Sequence, residues 1–215
     1  TETSFAYKPD KELRSDYRLF RLMNNGRFVS LSTRFTLFAF KIRLPIKGIV
    51  RNTIYDHFCG GETFKEALEV VDKLSQGNVN TILDYGVEAK ATTEDFDQTV
   101  EENIRAIEFC KTQKNIHAVV SKLSSLAPYG LFKRLHSPEK LKEKDKKRIP
   151  LLKERLNKIC SAAEEAGVQI YFDAEESWYQ DSMDMLVTEM MEKYNKEKAI
   201  IFNTIQLYRH DRLAF

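Results

Sequence analysis

The sequence predicts an α/β fold whose strands run parallel. Four short apolar runs rich in β-branched residues recur along the chain, and longer segments with helical spacing lie between them. This alternation of helix and strand is typical of a parallel sheet. The runs are almost continuously apolar, as expected for strands covered on both faces. They are "TILDYGV" (81–87), "IHAVVSKL" (116–123), "VQIYFDA" (168–174) and "AIIFNT" (199–204).

The helical segments are recognised by apolar residues repeated every three or four positions. In the first of them, Thr63 and Glu66 have the spacing of a capping box. The third ends at Gly167, a residue suited to the left-handed position that follows a helix. The predicted helices cover residues 62–76, 92–113, 149–167 and 181–198.

Polar residues stand at the carboxyl end of each predicted strand, which is the edge where α/β folds place their functional groups. No glycine-rich dinucleotide or phosphate-binding fingerprint follows any strand. A doubly wound sheet and a (β/α)8 barrel are both compatible with the pattern. The strand-end residues are Asp84 and Glu88, Lys122, Asp173 and Glu175, and Asn203 and Gln206.

Residues 1–58 differ in character from the rest of the chain. The stretch 11–25 has the pattern of an amphipathic helix, and 34–58 is apolar with basic residues scattered through it. We expect helices that pack on the outside of the main fold. The alternative is a surface that lies on a membrane.

Composition excludes several classes of protein. The 215 residues carry a net charge of only +2, which gives no reason to expect a nucleic-acid partner. The 3 cysteines are widely spaced and form no C-x-x-C pair, so neither a disulfide framework nor a zinc cluster is expected. No apolar run approaches the roughly 20 residues of a membrane span. The basic stretch 133–148 is interpreted as a solvated loop and helix start.

Lys122 is the most distinctive candidate for chemistry, because it follows the apolar run "HAVVS" and precedes "LSSLAPYG". At a strand end it could bind an anionic group or act as a Schiff-base nucleophile. The alternative is a structural ion pair with a carboxylate on a neighbouring strand. Asp173 ends the next strand and should share a face with Tyr171, close to Lys122.

The acidic turn "DAEES" (173–177) has three interpretations: a solvated turn, a metal site or one wall of an active site. Carboxylates could hold Mg²⁺. None of the 4 histidines is spaced to act as a ligand with another, so a zinc site is not expected, and no metal ligand is assigned.

Several motifs together resemble those of the proline dehydrogenases. "FCGGET" (58–63) is similar to the motif before that family's first barrel helix, "SKLSSL" (121–126) to its lysine motif on strand two, and "DAEES" to its motif on strand three. "ILDYGVEAK" (82–90) and "FNTIQLY" (202–208) resemble strands one and four. The resemblance implies a distorted (β/α)8 barrel that binds FAD and oxidises L-proline to Δ1-pyrroline-5-carboxylate. The electrons would pass to a quinone or another acceptor.

The resemblance also implies roles for individual residues. As catalytic residues, Lys122 would bind the proline carboxylate, Asp173 would line the pocket beside the flavin, and Glu88 would pair with an arginine that gates the site. As cofactor-binding residues, Asn203 would contact the flavin, and Ala174 and Ile201 would pack near its ring.

The resemblance implies that this chain contains only about the first four β/α units of such a barrel. The expected organisation is an N-terminal helical segment (1–58) and the first half of the FAD-binding barrel (59–215). Peripheral membrane association is expected to accompany the quinone. The expected location is the bacterial cytoplasm or the inner face of the membrane, or the mitochondrion in a eukaryote. Two rival hypotheses are a Schiff-base lyase that uses Lys122 and a non-catalytic fragment that associates through open sheet edges.

Overall fold

A computed structural model describes residues 5–86 and 91–215 of the chain. The chain divides into two compact units, Thr1–Val79 and Asn80–Phe215. The first unit is helical and the second contains a parallel sheet. The protein is therefore a largely helical α/β protein, and each unit is described separately below.

The first unit consists of helices joined by short connections. Its two longer N-terminal helices are amphipathic. Thr63 is the N-cap of the last helix, Phe64–Ser75, and its hydroxyl accepts a hydrogen bond from the backbone N–H of Glu66. The predicted helix at 62–76 is thus confirmed. The elements are α1 (Asp10–Met23), α2 (Gly26–Lys41), α3 (Lys47–Val50), a π-helical turn (Arg51–Tyr55), α4 (Asp56–Phe58) and α5 (Phe64–Ser75).

The second unit is built on four parallel strands in the order β1-β2-β3-β4. Each strand lies within one of the four apolar runs that predict it. Neighbouring strands are consecutive in the chain, so every connection crosses to the adjacent strand. The strands are β1 (Thr81–Asp84), β2 (Ile116–Ser121), β3 (Gln169–Phe172) and β4 (Ile201–Asn203).

Helices cover one face of this sheet. α6 (Thr93–Lys111), α8 (Glu143–Ala166) and α9 (Gln180–Tyr194) pack on β2, β3 and β4 respectively, and adjacent helices pack on each other. Val119, Ile170 and Ile201 lie in register beneath them and have no solvent exposure. Burial of such aliphatic side chains contributes about 1.5–3 kcal/mol each.

The other face of the sheet is more open. Ile82 is 51% exposed, and Val120, Tyr171 and Phe202 are half-buried. The rings of Tyr171 and Phe202 stack with centroids 4.7 Å apart. The expectation of strands covered on both faces therefore fails among the described residues, because helices lie on one side only.

The basic stretch 133–148 contains more order than a solvated loop. It includes the end of α7 (Tyr129–Leu135) and the start of α8, which begins at Glu143 rather than at 149. Asp145 has no solvent exposure and accepts two hydrogen bonds from Arg134, from Nε at 2.6 Å and from Nη2 at 2.7 Å. This bidentate pair ties α7 to the first turn of α8.

The outer edge of β4 is closed at one point by a side chain. The amide of Asn195 accepts hydrogen bonds from the backbone N–H groups of Ile200 and Ile201 and donates one to the carbonyl of Ile201. The Ile200 carbonyl and the Thr204 N–H pair with β3, so Ile201 presents its own groups outwards. Asn195 therefore replaces a partner strand at this position.

Candidate functional site

A cleft opens at the carboxyl ends of the strands in the second unit, and its volume is about 530 Å³. It collects the residues that follow β2 and β3 together with residues that follow β4. This is the edge at which α/β folds bind their ligands. The lining residues are Lys122, Ser124, Tyr129, Asp173, Ala174, Glu175, Glu176, Tyr179, Gln206 and Tyr208.

Lys122 lies at this cleft, as the sequence predicts. It directly follows β2, and its side chain is 13% exposed, so most of the aliphatic stem is buried. Its ammonium Nζ lies 3.3 Å from Oδ2 of Asp84, the last residue of β1. The lysine therefore forms an ion pair with a neighbouring strand and also lines the cleft.

Asp173 and Ala174 line the same cleft. The backbone N–H of Asp173 donates to the Ser121 carbonyl at 3.0 Å and continues the pairing of β3 with β2. The Thr204 hydroxyl donates to Oδ1 of Asp173 at 3.2 Å and accepts a hydrogen bond from the N–H of Ala174 at 2.7 Å. The structure thus brings Lys122, Asp173 and Ala174 together, and Thr204 fixes the last two.

Glu175 is a structural member of the cleft wall. Its carboxylate Oε1 accepts a hydrogen bond from the N–H of Ser124 at 3.0 Å, and its own N–H donates to Gln180 at 2.7 Å. The carboxylate therefore holds the loop that follows Lys122. Ser124 is only 3% exposed, and its hydroxyl has no hydrogen-bond partner among the described residues.

Gln206, one of the strand-end residues, also lines the cleft, although no specific role is predicted for it. Its amide Nε2 donates to the carbonyls of Ala174 and Glu175, at 3.2 Å and 3.0 Å. Its Oε1 is buried without a partner in the part of the chain that the structure describes. In the sequence, Gln206 can be recognised only as a polar residue three positions after the end of a strand. Asn203 is closer to that strand and is therefore the residue that the pattern favours.

Asn203 and Ile201 do not line the cleft. Asn203 lies in register with Phe172, whose side chain is fully buried, and its amide donates to Asp184 of α9 at 2.9 Å. Ile201 is also fully buried. The two side chains therefore face the helix layer. Glu88 lies outside the described residues.

Three tyrosines, Tyr129, Tyr179 and Tyr208, form the remaining wall of the cleft, and Trp178 contacts two of them from outside it. The indole N–H of Trp178 donates to the hydroxyl of Tyr129 at 2.7 Å, and the ring of Tyr179 meets that of Tyr129 edge to face at 5.0 Å. Burial raises the pKa of Tyr179 to about 12, so its phenol is neutral at physiological pH. Among the described residues, no three His, Cys, Asp or Glu side chains are grouped so that they could hold a metal ion.

Comparison with known proteins identifies the family. The model of a family described as proline dehydrogenase matches residues 67–215, a range that contains every residue lining the cleft. The chain belongs to the proline dehydrogenase family. Two proteins illustrate its relationships. It is 30% identical over 186 residues to the carbapenem antibiotics biosynthesis protein CarD of Pectobacterium carotovorum subsp. carotovorum, covering 86% of this chain and 50% of that protein.

The second relative carries the family's name. The chain is 30% identical over 223 residues to the mitochondrial proline dehydrogenase 1 of Dictyostelium discoideum, covering 86% of this chain and 38% of that protein. The chain therefore spans half or less of the length of these two curated relatives.

A solved structure supports the fold of this proline dehydrogenase family member. The structure of proline utilization A (PutA) from Bdellovibrio bacteriovorus, inactivated by N-propargylglycine, matches with a TM-score of 0.62. The match covers 99% of this chain and 23% of that chain at 19% identity. At this identity the likeness bears on the fold alone.

Proposed function

We propose that the chain forms part of a flavin-dependent enzyme that oxidises L-proline to Δ1-pyrroline-5-carboxylate. The observation that carries the proposal is the convergence of Lys122, Asp173 and Ala174 on one cleft, in a chain that belongs to the proline dehydrogenase family. The electrons would pass to a quinone or another acceptor.

The proposed architecture is the first half of a (β/α)8 barrel. Sequential order of the parallel strands and a helix layer on one face both support it, because a doubly wound sheet reverses its order and carries helices on both faces. The more open face, with Ile82, Tyr171 and Phe202, would then be the barrel interior. We retain the proposed organisation of 1–58 as a helical segment and 59–215 as half of a barrel.

The cleft has features that suit FAD. Among the residues that the structure describes, the buried Oε1 of Gln206 and hydroxyl of Ser124 have no hydrogen-bond partner. The small side chain of Ala174 leaves room for a planar ring. We add Gln206 to the proposed cofactor-binding residues. Asn203 and Ile201 would act from behind the strand, by supporting it against α9.

FAD, when bound, would supply the hydride acceptor for the oxidation. The protein has to hold the small zwitterionic substrate, orient its ring and exclude water. Lys122 would bind the carboxylate of proline, and Asp173 would line the pocket near the ring nitrogen. Glu88 would pair with an arginine and control access to the site.

The experiment compares the full-length protein with two lysine variants. We expect the wild type to be yellow and to reduce an artificial dye with L-proline. Lys122→Gln should raise KM for proline by tenfold or more, because it removes the charge that anchors the carboxylate. Lys153→Gln is the matched control, since its exposed ion pair with Glu189 lies between α8 and α9. A colourless wild type without proline-dependent activity would refute the proposal.

The two rivals receive less support. The Lys122 ammonium is held in an ion pair with Asp84 at 3.3 Å, an arrangement suited to binding an anionic group as a point charge, and the family match favours proline oxidation over a Schiff-base lyase. The family match likewise favours the flavoenzyme over a non-catalytic fragment that associates through an open sheet edge.

We also propose a peripheral membrane contact for the first unit. Residues 17–55 contain eight Lys and Arg and no Asp or Glu, and α2 exposes Leu31, Phe35 and Leu37 by 60% or more. Basic and apolar residues together favour an anionic bilayer surface. In the described residues, no helix has both the length and the apolar character of a membrane span.

This membrane contact would place the enzyme at the inner face of a bacterial membrane, or at a mitochondrial membrane in a eukaryote. In a co-sedimentation assay, the protein should bind vesicles that contain anionic lipid more strongly than vesicles of neutral lipid. Leu31→Ser together with Phe35→Ser should reduce binding to the anionic vesicles severalfold. Equal binding to neutral vesicles would contradict the electrostatic contribution.

A further inference from the structure

We propose that Asp84 is a positioning residue that holds the Lys122 ammonium on the β1 side of the cleft, where it receives the carboxylate of the substrate. The inference deepens the proposed function and rests on it. Asp84 itself is absent from the cleft lining, so it acts through the lysine.

The strand register brings the two side chains together. Asp84 pairs with Val120, which lies two residues before Lys122 on β2. Side chains two residues apart on a strand share a face, so Asp84 and Lys122 project from the same side of the sheet. The 3.3 Å distance between Oδ2 and Nζ follows from this arrangement. The Lys122 side chain is mostly buried while that of Asp84 is 44% exposed, so the carboxylate is the more solvated member of the pair.

The restraint on the Lys122 ammonium matters because carboxylates line the opposite wall of the cleft. Asp173, Glu175 and Glu176 line the cleft from the β3 side, whereas Asp84 lies on β1. Lys122 directly follows β2, the strand between them, and its flexible four-carbon stem allows the ammonium to move towards either side. An ammonium drawn to the β3 side would be partly neutralised there and would offer less charge to an incoming carboxylate.

The charge balance of the cleft explains why the position matters. In the part of the chain that the structure describes, its lining contains one lysine and three carboxylates. A substrate carboxylate would be repelled by those acids unless the ammonium stands away from them. Asp84 provides that separation, and its exposed position lets solvent screen its own repulsion of the substrate.

The test uses the full-length protein with Asp84→Asn and Asp84→Glu. The matched control is Glu189→Gln, which removes a carboxylate of similar exposure, 45%, from the ion pair with Lys153. Tetrahydrofuran-2-carboxylate, a ring carboxylate without the nitrogen, probes the lysine by calorimetry without turnover. Pyrrolidine, the ring amine without the carboxylate, probes the rest of the cleft.

We expect Asp84→Asn to raise KM for proline and Kd for tetrahydrofuran-2-carboxylate about tenfold, with kcat within about threefold. Pyrrolidine binding and the control variant should stay at wild-type values. Asp84→Glu should recover to within about threefold of wild type, because it restores the charge. If Asp84→Asn fails to fold, Asp84→Ser serves as the uncharged variant and carries the same expectations.

Two results would overturn the inference while leaving the proposed function intact. One is unchanged Kd for the ring carboxylate in an active variant, and the other is equal weakening of pyrrolidine, which indicates general disruption. A wild-type protein that neither binds the ring carboxylate nor oxidises proline would instead overturn the proposed function, and the inference with it.

Discussion

Replacing Asp145 by asparagine should destabilise the protein in a manner that depends on pH. Hydrogen bonding from Arg134 holds the pKa of Asp145 at about 2, below its ordinary value of 3.8. Each pH unit between these values corresponds to about 1.4 kcal/mol, so the carboxylate contributes about 2.5 kcal/mol near neutral pH. The loss in Asp145→Asn should be about 2–4 kcal/mol, because the Arg134 guanidinium also loses its charged partner.

The sign of the pH dependence follows from the lowered pKa. A carboxylate whose pKa is depressed in the folded state stabilises it above about pH 4 and loses that effect as pH falls towards about 2. The free-energy difference between wild type and Asp145→Asn should therefore be constant from about pH 7 to 5 and roughly halved near pH 3.

The assay is urea unfolding of the full-length protein at several pH values, followed by far-ultraviolet circular dichroism. Glu143→Gln is the control, because it removes a charge from the same first turn of α8 but its side chain is 86% exposed. It should change stability by less than about 1 kcal/mol. A difference for Asp145→Asn that does not vary between pH 7 and 3 would show that the ion pair is not its source.

Three further outcomes are expected. Thr204→Val should cost about 1–3 kcal/mol in urea unfolding, since it leaves the N–H of Ala174 without its acceptor; Thr204→Ser should not. Gly61→Ala should lower the melting temperature, because φ is +141° and a Cβ would lie 2.5 Å from that of Glu66, whereas Gly60→Ala meets nothing within 4 Å. Of the three thiols in the described residues, only exposed Cys59 should react rapidly with a thiol reagent in the native chain, as burial raises the pKa of the other two to about 11 and about 12.

The apolar periodicities of strands and helices predict the second unit well, because the side chains that it buries recur at regular local intervals in the sequence. Apolar periodicity does not predict the π-helical turn or α7. Helix α8 is extended beyond the predicted start at 149 because Asp145 gains a buried arginine partner from α7. That partner lies 11 residues earlier in the chain, and no local pattern indicates it.

The candidate site is predictable to the extent that it depends on strand ends. Lys122 and Asp173 directly follow their strands and reach the cleft. Asn203 does not reach the cleft, because the alternation of side chains along the short strand β4 directs this residue towards α9. Gln206, which follows the strand, lines the cleft instead. The phase of a strand is fixed by pairing with its neighbour, which the sequence of one strand does not contain.

The Asn195 amide links the integrity of a helix to the behaviour of the sheet. Asn195 follows the last turn of α9, and its backbone N–H donates to Met191 within that helix. If the last turn of α9 frays, the same event withdraws the side chain from Ile201 and uncovers a site for strand addition. Solubility of the folding chain is thus governed partly by a helix terminus, so substitutions that weaken this turn should increase aggregation even where they leave the cleft unchanged.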